Sequence, residues 1–423
     1  MSEDLPLRPR VDVLVFGGGI AGLWTLHELL AHGYDAHLCE TTALGTGQTV
    51  RSQGIVHGGG KYALRSVGDL DAVRAIRDMP ERWQAHRSGL RRDPDLRSAH
   101  LSSDACWLWL PRGSWWSRLQ AWGIVPVLRH GGLLACPPES RPKAEWPAVL
   151  QRHAHLALRM AEPVFDTRSV LKALRETVVD RLLRVAPVDP ADGFGAFDPG
   201  RGVRTVHLRS PEGTALEVDA RAVVFAAGEG NADLLRGIGQ ETGLMQRRPL
   251  LMTVLRGALP PLYAHCVSGG RTRITVTSVG SGDDVVWQVG GEVSERYADE
   301  APGPAVRAAA LDEVRACLPG LDLSGLSIAN YRAVRAEARD DALRRPSGAH
   351  VRTVAPGAVV AWPTKWALAP LLASDVHHEL RENGLGPSGP GPLHGAGRWP
   401  RPDVAPYPWE DAAWTDVNSA EPV

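Results

Sequence analysis

The first forty residues carry hydrophobic patterns that are typical of a strand, a helix and a second strand. A compact apolar run over 11–16 predicts a buried strand. Apolar residues then recur at helical spacing over 20–32, and Gly33 is a plausible helix stop. Residues 36–40 predict the second strand. Because one helix joins them, the two strands should be parallel, and the pattern predicts an α/β sheet.

The middle of the chain has a different pattern. Short strand-like runs at 251–256, 273–278 and 285–290 lie close together and predict an antiparallel block. Helical patterns follow at 305–317 and 368–380. A hairpin is predicted from strands 204–208 and 216–218, with a separate buried strand at 222–227. Prolines and glycines are dense over 386–423, which predicts a loosely ordered tail.

Composition narrows the class of protein. A length of 423 residues favours two domains. The 47 basic residues nearly cancel the 48 acidic ones, so nothing indicates a nucleic-acid partner. No apolar run reaches the ~20 residues of a transmembrane helix, and the first ten residues lack a secretory core. Five scattered cysteines indicate reduced thiols. We therefore expect a cytoplasmic protein with no transmembrane segment and no metal site.

A glycine motif, Gly17-x-Gly19-x-x-Gly22, lies between the first strand and the first helix. Its glycines allow a tight turn, a close approach of backbone to pyrophosphate, and packing of helix on strand. Free N–H groups at the helix N-terminus then face the phosphates. Glu40 ends the next strand, where its carboxylate suits an adenosine ribose and repels a 2′-phosphate. The unit predicts a dinucleotide site.

Three further segments distinguish a flavin from a nicotinamide. A long glycine-rich stretch contains Ser52-Gln53-Gly54-Ile55-Val56-His57-Gly58-Gly59, followed by Lys61-Tyr62. The strand at 222–231 ends in Ala226-Ala227-Gly228, and Glu162–Asp166 precedes a predicted helix. With these motifs, residues 11–373 resemble the FAD-dependent oxidoreductases of the D-amino-acid-oxidase type, which include glycerol-3-phosphate dehydrogenase and the glycine and sarcosine oxidases.

The resemblance implies a Rossmann-like FAD-binding domain with an interleaved antiparallel-sheet (α+β) substrate domain. The FAD-binding pieces are predicted at 11–65, 151–235 and 345–385, and the substrate domain at 66–150 and 236–344. It also implies FAD as cofactor and contacts to it from these residues: Gly17, Gly19, Gly22, Glu40, Ser52, Gln53, Gly54, His57, Gly58, Ala227, Gly228, Thr364 and Lys365.

The segment before the last helix departs from the family pattern, which is glycine-rich at this point. It reads Ala361-Trp-Pro363-Thr364-Lys365. Pro363 and Thr364 can start a helix, whose N–H groups would face negative charge on the reduced flavin. Lys365 would add a full positive charge. The chain has only four lysines, which makes this one a candidate catalytic residue.

His57, Arg335 and His265 are the other candidates for chemistry. Because its pKa is ordinarily near neutrality, His57 can act as a base; contact with or attachment to the flavin and a structural role stay open. Arg335 or Arg332 would hold a substrate carboxylate or phosphate. Five tryptophans lie at 107–122, and four roles stay open for them: a hydrophobic lid, an aromatic-substrate wall, core packing or a subunit contact.

The predicted reaction is oxidation of a small amine, amino acid or hydroxy compound by hydride transfer to FAD. The substrate is expected to be a small molecule. If it carries a carboxylate or phosphate, Arg335 or Arg332 would bind that group. Dioxygen or another acceptor reoxidises the flavin. Two alternatives stay open: a monooxygenase or halogenase-like flavoenzyme that NAD(P)H reduces, and an FAD-binding protein without catalysis.

Overall fold

The computed structural model describes residues 8–59, 76–112, 137–241, 243–268, 271–339, 348–389, 391, 393–397 and 399–420. Lys61, Tyr62 and three of the clustered tryptophans, Trp115, Trp116 and Trp122, lie outside these residues. The strands are, in chain order, β1 (Arg10–Phe16), β2 (Ala36–Glu40), β3 (Leu101–Ser103), β4 (Cys106–Pro111), β5 (Glu139–Ser140), β6 (Ala154–Met160), β7 (Val164–Phe165), β8 (Leu182–Arg184), β9 (Phe194–Asp198), β10 (Val203–Arg209), β11 (Ala215–Phe225), β12 (Met245–Gly257), β13 (Ala264–Ser268), β14 (Arg271–Ser281), β15 (Asp284–Gly290), β16 (Ser327–Ala338), β17 (His350–Ala355), β18 (Ala358–Trp362) and β19 (Thr415–Asp416).

The helices of the described residues are fewer. They are α1 (Ile20–Ala31), α2 (Met79–Arg87), α3 (Ala148–His153), α4 (Thr167–Glu176), α5 (Asn231–Gly237), α6 (Glu292–Arg296), α7 (Pro304–Cys317) and α8 (Ala369–Glu382). No helix in this described part of the chain is both long and apolar enough to cross a bilayer.

The first sheet has a parallel centre, as the opening pattern predicts. Its main path runs β17-β18-β11-β1-β2-β8, and β10 and β9 extend from β11. β1 pairs in parallel with both β2 and β11. Val13, Leu14 and Val15 of β1 are fully buried, because helices and loops cover both faces of a parallel sheet. The predicted α/β fold is confirmed.

The second sheet is almost entirely antiparallel, in the order β19-β16-β12-β15-β14-β13-β4-β6-β5. β12 and β16 form its longest pairing, from Met245 opposite Ala338 to Arg256 opposite Ser327. β4 contains Trp107 and Trp109, which are buried in the core of this sheet with Trp146 and Trp287. The two described members of the tryptophan cluster therefore act as core residues.

Strand β6 pairs with a different sheet from the one that the predicted domain boundaries assign it to. It lies within the predicted FAD-binding piece 151–235 but pairs with β4 and β5 of the second sheet. The boundaries themselves stay a prediction.

Two predicted elements are wrong in detail. The strands predicted at 216–218 and 222–227 are one strand, β11, which pairs first with β10 and then with β1 and β18. The last helix begins at Ala369, after a short 3-10 turn, and not at Pro363 and Thr364. Thr364 cannot start a helix because its φ is +50°, in the left-handed region.

The predicted loose tail is also wrong. Trp399, Tyr407 and Trp409 are buried, and β19 adds to the edge of the second sheet at β16. The backbone around Val404 pairs with Leu44, beside the glycine-rich loop. Aromatic residues in a proline-rich segment let it bury apolar area without a helix or long strand.

Candidate active site

A long cleft of 390 Å³ opens along the first β-α-β unit. Its walls include the glycine loop 17–19, Glu40, the loop 45–49 and residues 226–228. The N-terminus of α1 faces this cleft, and its first turn contains no acidic residue. The positive end of the helix dipole is therefore available to an anion such as a pyrophosphate.

The glycines of the motif are required by close backbone contacts. A Cβ at Gly17, whose φ is +107°, would lie 2.5 Å from the Cα of Ala227. A Cβ at Gly22 would lie 1.9 Å from the carbonyl oxygen of Gly17. Gly22 does not line the cleft and instead allows α1 to pack against the glycine turn. Gly19 lines the cleft directly.

Glu40 and Thr49 fix the shape of this turn. One carboxylate oxygen of Glu40 accepts the N–H of Gly18 at 2.6 Å, and the other accepts the N–H of Thr42 at 2.9 Å. The Thr49 hydroxyl accepts the N–H of Ile20 at 3.0 Å. Oε1 of Glu40 also accepts from the hydroxyls of Thr41 and Thr42, so the predicted contact with a ribose would use the second lone pair of Oε2.

A second, smaller cleft of 150 Å³ adjoins the long one. Four residues line both cavities, so the two are neighbours: Gln48, Ser52, Lys365 and Trp366. The strands of the second sheet form the far wall of the small cleft. Residues that are 50 to 300 positions apart in the sequence thus meet at one junction between the two sheets.

The small cleft brings together most of the predicted site residues. They are Ser52, Gln53, Gly54, His57, His265, Arg335, Thr364 and Lys365. Ala227 and Gly228 line only the long cleft, and Gly58 lines neither. Their individual roles stay predictions.

A buried carboxylate orients His57. Nδ1 of His57 lies 3.2 Å from Oε2 of Glu162, and the N–H of Gly58 donates to Oε1 of the same carboxylate at 2.9 Å. Glu162 is only 2 % exposed. The ring of His265 lies 5.5 Å from that of His57, and Nδ1 of His265 is 2.8 Å from the hydroxyl of Thr275.

His57, Glu162 and His265 are residue types that can bind a metal ion. Ligand-type atoms of His57, Glu162 and His265 lie within 4.8 Å of one another. The absence of a metal site stays a prediction.

Gln53 joins the loop at the cleft to the second sheet. Its amide donates to the carbonyls of Thr275 at 3.0 Å and Gln288 at 2.9 Å. Gln288 in turn donates to the carbonyl of Arg51 at 3.2 Å and to the hydroxyl of Tyr331. Burial raises the pKa of Tyr331, so its phenol stays protonated. These bonds hold residues 51–53 against β14 and β15.

Of the two candidate arginines, only Arg335 lines the small cleft, and it forms an ion pair with Glu295 at 2.7 Å. The guanidinium of Arg332 instead donates to the carbonyls of Ala298 and Glu300, away from the cleft lining. The structure therefore favours Arg335 over Arg332, and which of the two binds the substrate stays a prediction. Lys365, 6 % exposed, lies where the clefts meet.

Sequence reasoning missed some residues of the site. Glu162 was recognised only as part of a motif, because its partner His57 lies 105 positions away. Gln48, Arg51 and Gln288 carry no local signal, since a polar residue in a loop or strand has many ordinary roles. The helical dipole predicted to begin at Pro363 is replaced by the left-handed turn at Thr364.

The residues present fit the predicted dinucleotide. The tight glycine turn lines the cleft and excludes a Cβ at Gly17, which would clash with the backbone of Ala227, and α1 directs its N-terminus into the cleft. Glu40 lies at the end of β2, where the ribose of a dinucleotide is expected. The two clefts adjoin at Ser52 and Lys365, so a reactive ring held at this junction would lie near His57, which lines the small cleft.

Comparison with known proteins agrees with this geometry. The sequence model of the family described as FAD dependent oxidoreductase (DAO) matches residues 12–363. The chain is 38 % identical, over 96 % of its own length and all of the other chain, to a probable FAD-dependent oxidoreductase of Pseudomonas aeruginosa, PA4991. A crystal structure of that protein has a TM-score of 0.75 and 35 % identity, with 96 % of this chain and 99 % of that one covered.

More distant solved structures share the fold. Glycine oxidase of Geobacillus kaustophilus has a TM-score of 0.58 at 16 % identity, with 88 % of this chain and 95 % of that chain covered. L-α-glycerophosphate oxidase of Mycoplasma pneumoniae was solved with FAD bound. It has a TM-score of 0.61 at 13 % identity, with 94 % of this chain and 97 % of that chain covered.

Proposed function

Because this chain belongs to the family of FAD-dependent oxidoreductases, we propose that it oxidises a small amine, amino acid or hydroxy compound in the small cleft. One observation carries the proposal: the small cleft, lined by His57, adjoins the long cleft, and Ser52 and Lys365 line both. A substrate there lies next to the flavin end of a dinucleotide whose phosphates sit at α1.

FAD supplies the electron acceptor for the oxidation, and the protein supplies orientation and charge. The small cleft, at 150 Å³, is below the ~300–1,000 Å³ of pockets for drug-sized ligands. It therefore suits a molecule of a few heavy atoms. Gln53 and its partners on the second sheet hold the wall rigid, which favours a fixed substrate position.

The charges of the small cleft bear on the substrate class. Its lining carries Arg51, Arg335 and Lys365 as cations and Glu292 and Glu295 as anions. Since Glu295 neutralises Arg335, we assign a substrate carboxylate or phosphate to the neighbourhood of Lys365 and Arg51. Arg335 then shapes the cleft through its ion pair. Mixed charge of this kind suits a zwitterionic or hydroxy-acid substrate.

Anaerobic mixing tests the function. The purified, FAD-loaded protein is mixed with amino acids, N-methyl amino acids, hydroxy acids and glycerol phosphate, and the flavin absorbance is followed. We expect at least one member of this panel to bleach the flavin. Bleaching by NADPH alone would favour the monooxygenase class, and bleaching by neither would favour an FAD-binding protein without catalysis.

Lys365 should raise the reduction potential of the bound flavin. A buried ammonium at the junction stabilises negative charge that develops on reduction. Lys365→Met should therefore lower the potential by at least about 30 mV, which is tenfold in equilibrium for a two-electron couple. Reductive titration with a reference dye measures this without any substrate. Lys172 is exposed on α4, so Lys172→Met is the matched control. It should leave the reduction potential of the flavin unaltered. An equal shift in both variants, or none in Lys365→Met, contradicts the assignment.

A further inference from the structure

We propose that Glu162 is the positioning residue that makes His57 the base of the reaction, an inference that rests on the proposed function. His57 lines the small cleft, whereas Glu162 does not. The imidazole therefore stands between the carboxylate and the space for substrate. No pattern around Glu162 in the sequence marks it for this role.

The hydrogen bond to Glu162 defines which nitrogen of His57 carries the proton in the neutral ring. A carboxylate only accepts hydrogen bonds, so the bond to Oε2 of Glu162 places a proton on Nδ1. In the neutral ring this leaves Nε2 with the lone pair that can take a proton. The tautomer of a catalytic histidine is set by the partner of its other nitrogen.

The carboxylate is itself held in place. The N–H of Gly58 donates to Oε1 of Glu162 at 2.9 Å, and the residue is 2 % exposed. Gly58 directly follows His57, so one carboxylate fixes both the ring and the backbone that carries it. This explains why Gly58 belongs to the site without lining either cleft.

The proton balance of the step is as follows. An alcohol or amine loses one proton from its O–H or N–H group and a hydride from the adjacent carbon, which gives a carbonyl or imine. Nε2 of His57 takes the proton and the ring becomes an imidazolium; the hydride would go to bound FAD, which would supply the oxidant. Glu162 remains a carboxylate throughout and stabilises the imidazolium by its charge.

Other titratable groups face the same space. The ring of His265 lies 5.5 Å from the ring of His57. The remaining charged residues of the cleft lining are Arg51, Glu292, Glu295, Arg335 and Lys365. Among these groups, Glu162 is the anion that has a hydrogen bond to His57 at 3.2 Å. Its removal should therefore have the largest effect on the titration of the ring.

The test is the pH dependence of flavin reduction by a substrate found in the panel. Because only neutral His57 accepts a proton, the rate should rise with pH. In Glu162→Gln the carboxylate that favours the imidazolium is gone, so the midpoint should move to lower pH by about one unit. The limiting rate should fall at least tenfold, since the amide places an NH2 donor where one of the two carboxylate oxygens accepts from His57 or Gly58.

Two further variants and one measurement make the outcome decisive. Glu162→Asp retains the charge and should lie between the wild type and Glu162→Gln. Asp104→Asn removes an exposed carboxylate that pairs with Arg159 and should change neither midpoint nor rate. Nitrogen-15 NMR of the imidazoles in the FAD-loaded protein, without substrate, should show His57 protonated at Nδ1 when neutral.

The outcomes separate this proposal from the proposed function. If no compound in the panel is oxidised, the NMR measurement still tests the Glu162–His57 interaction alone. If substrate is oxidised but the pH midpoint of Glu162→Gln equals that of the wild type, Glu162 has only a structural role. Protonation of neutral His57 at Nε2 in the wild type would also overturn the proposal. If Glu162→Gln does not fold, the midpoint of Glu162→Asp and the wild-type NMR titration decide the question.

Discussion

Gly22→Ala should leave the purified protein almost without FAD. The added Cβ would lie 1.9 Å from the carbonyl oxygen and 3.1 Å from the carbonyl carbon of Gly17. Both atoms are backbone atoms of the turn that faces the long cleft, so the clash cannot be relieved by rotating a side chain. Either α1 moves away from β1 or the turn changes shape, and overpacking of this kind costs about 1–3 kcal/mol or more.

The measurement for Gly22→Ala is the ratio of flavin to protein after reconstitution with excess FAD. We expect occupancy to fall at least tenfold, together with a lower melting temperature. Gly386→Ala is the matched control, since its Cβ would meet nothing within 4 Å, and its occupancy should equal that of the wild type. Full occupancy in Gly22→Ala would mean that the turn is not the cofactor cradle.

His57→Gln should reduce the flavin about 10²–10⁴ times more slowly, which is the usual contribution of a general base. Glutamine keeps a polar side chain beside Glu162 but has no nitrogen that takes up a proton near neutral pH. The residue lines the small cleft only, so we expect FAD occupancy to change little. The loss should appear in the rate of reduction at saturating substrate, measured by stopped-flow absorbance under anaerobic conditions.

A surface pair of the same chemistry controls for the His57 experiment. His207 lies 3.4 Å from Glu217, and both side chains are more than 40 % exposed. His207→Gln should therefore reduce the flavin at the wild-type rate. If His57→Gln stays within threefold of the wild type, His57 is not the base, and its role is contact with the cofactor or support of the loop.

The sequence predicted the parts of this molecule that depend on neighbours in the chain. The turn at 17–22, the parallel strands around it and three strands of the second sheet, β12, β14 and β15, follow from spacing within some twenty residues. The approach of His57 to Arg335 and Lys365 was predicted only through the resemblance. Their meeting in one cleft depends on the packing of two sheets, which local patterns do not specify.

The sequence did not predict two other features, because they depend on residues that are distant in the chain. The left-handed Thr364 donates its hydroxyl to the carbonyl of Gly348 at 2.8 Å, and no propensity predicts a positive φ for threonine. The described part of the tail packs on the rest of the molecule: Trp409 stacks at 4.4 Å on Tyr407, whose hydroxyl bonds to Asp166. Composition alone indicated disorder, since it counts prolines and glycines without regard to what the aromatic residues contact.

The central claim is that the flavin ring of bound FAD lies where the two clefts meet. A crystal structure of the FAD-loaded protein tests it most directly. We predict the pyrophosphate at the N-terminus of α1 and the ring in contact with Ser52 and Lys365, with one face open towards His57. A ring located outside the small cleft, with His57 and Lys365 both beyond contact, would contradict the account.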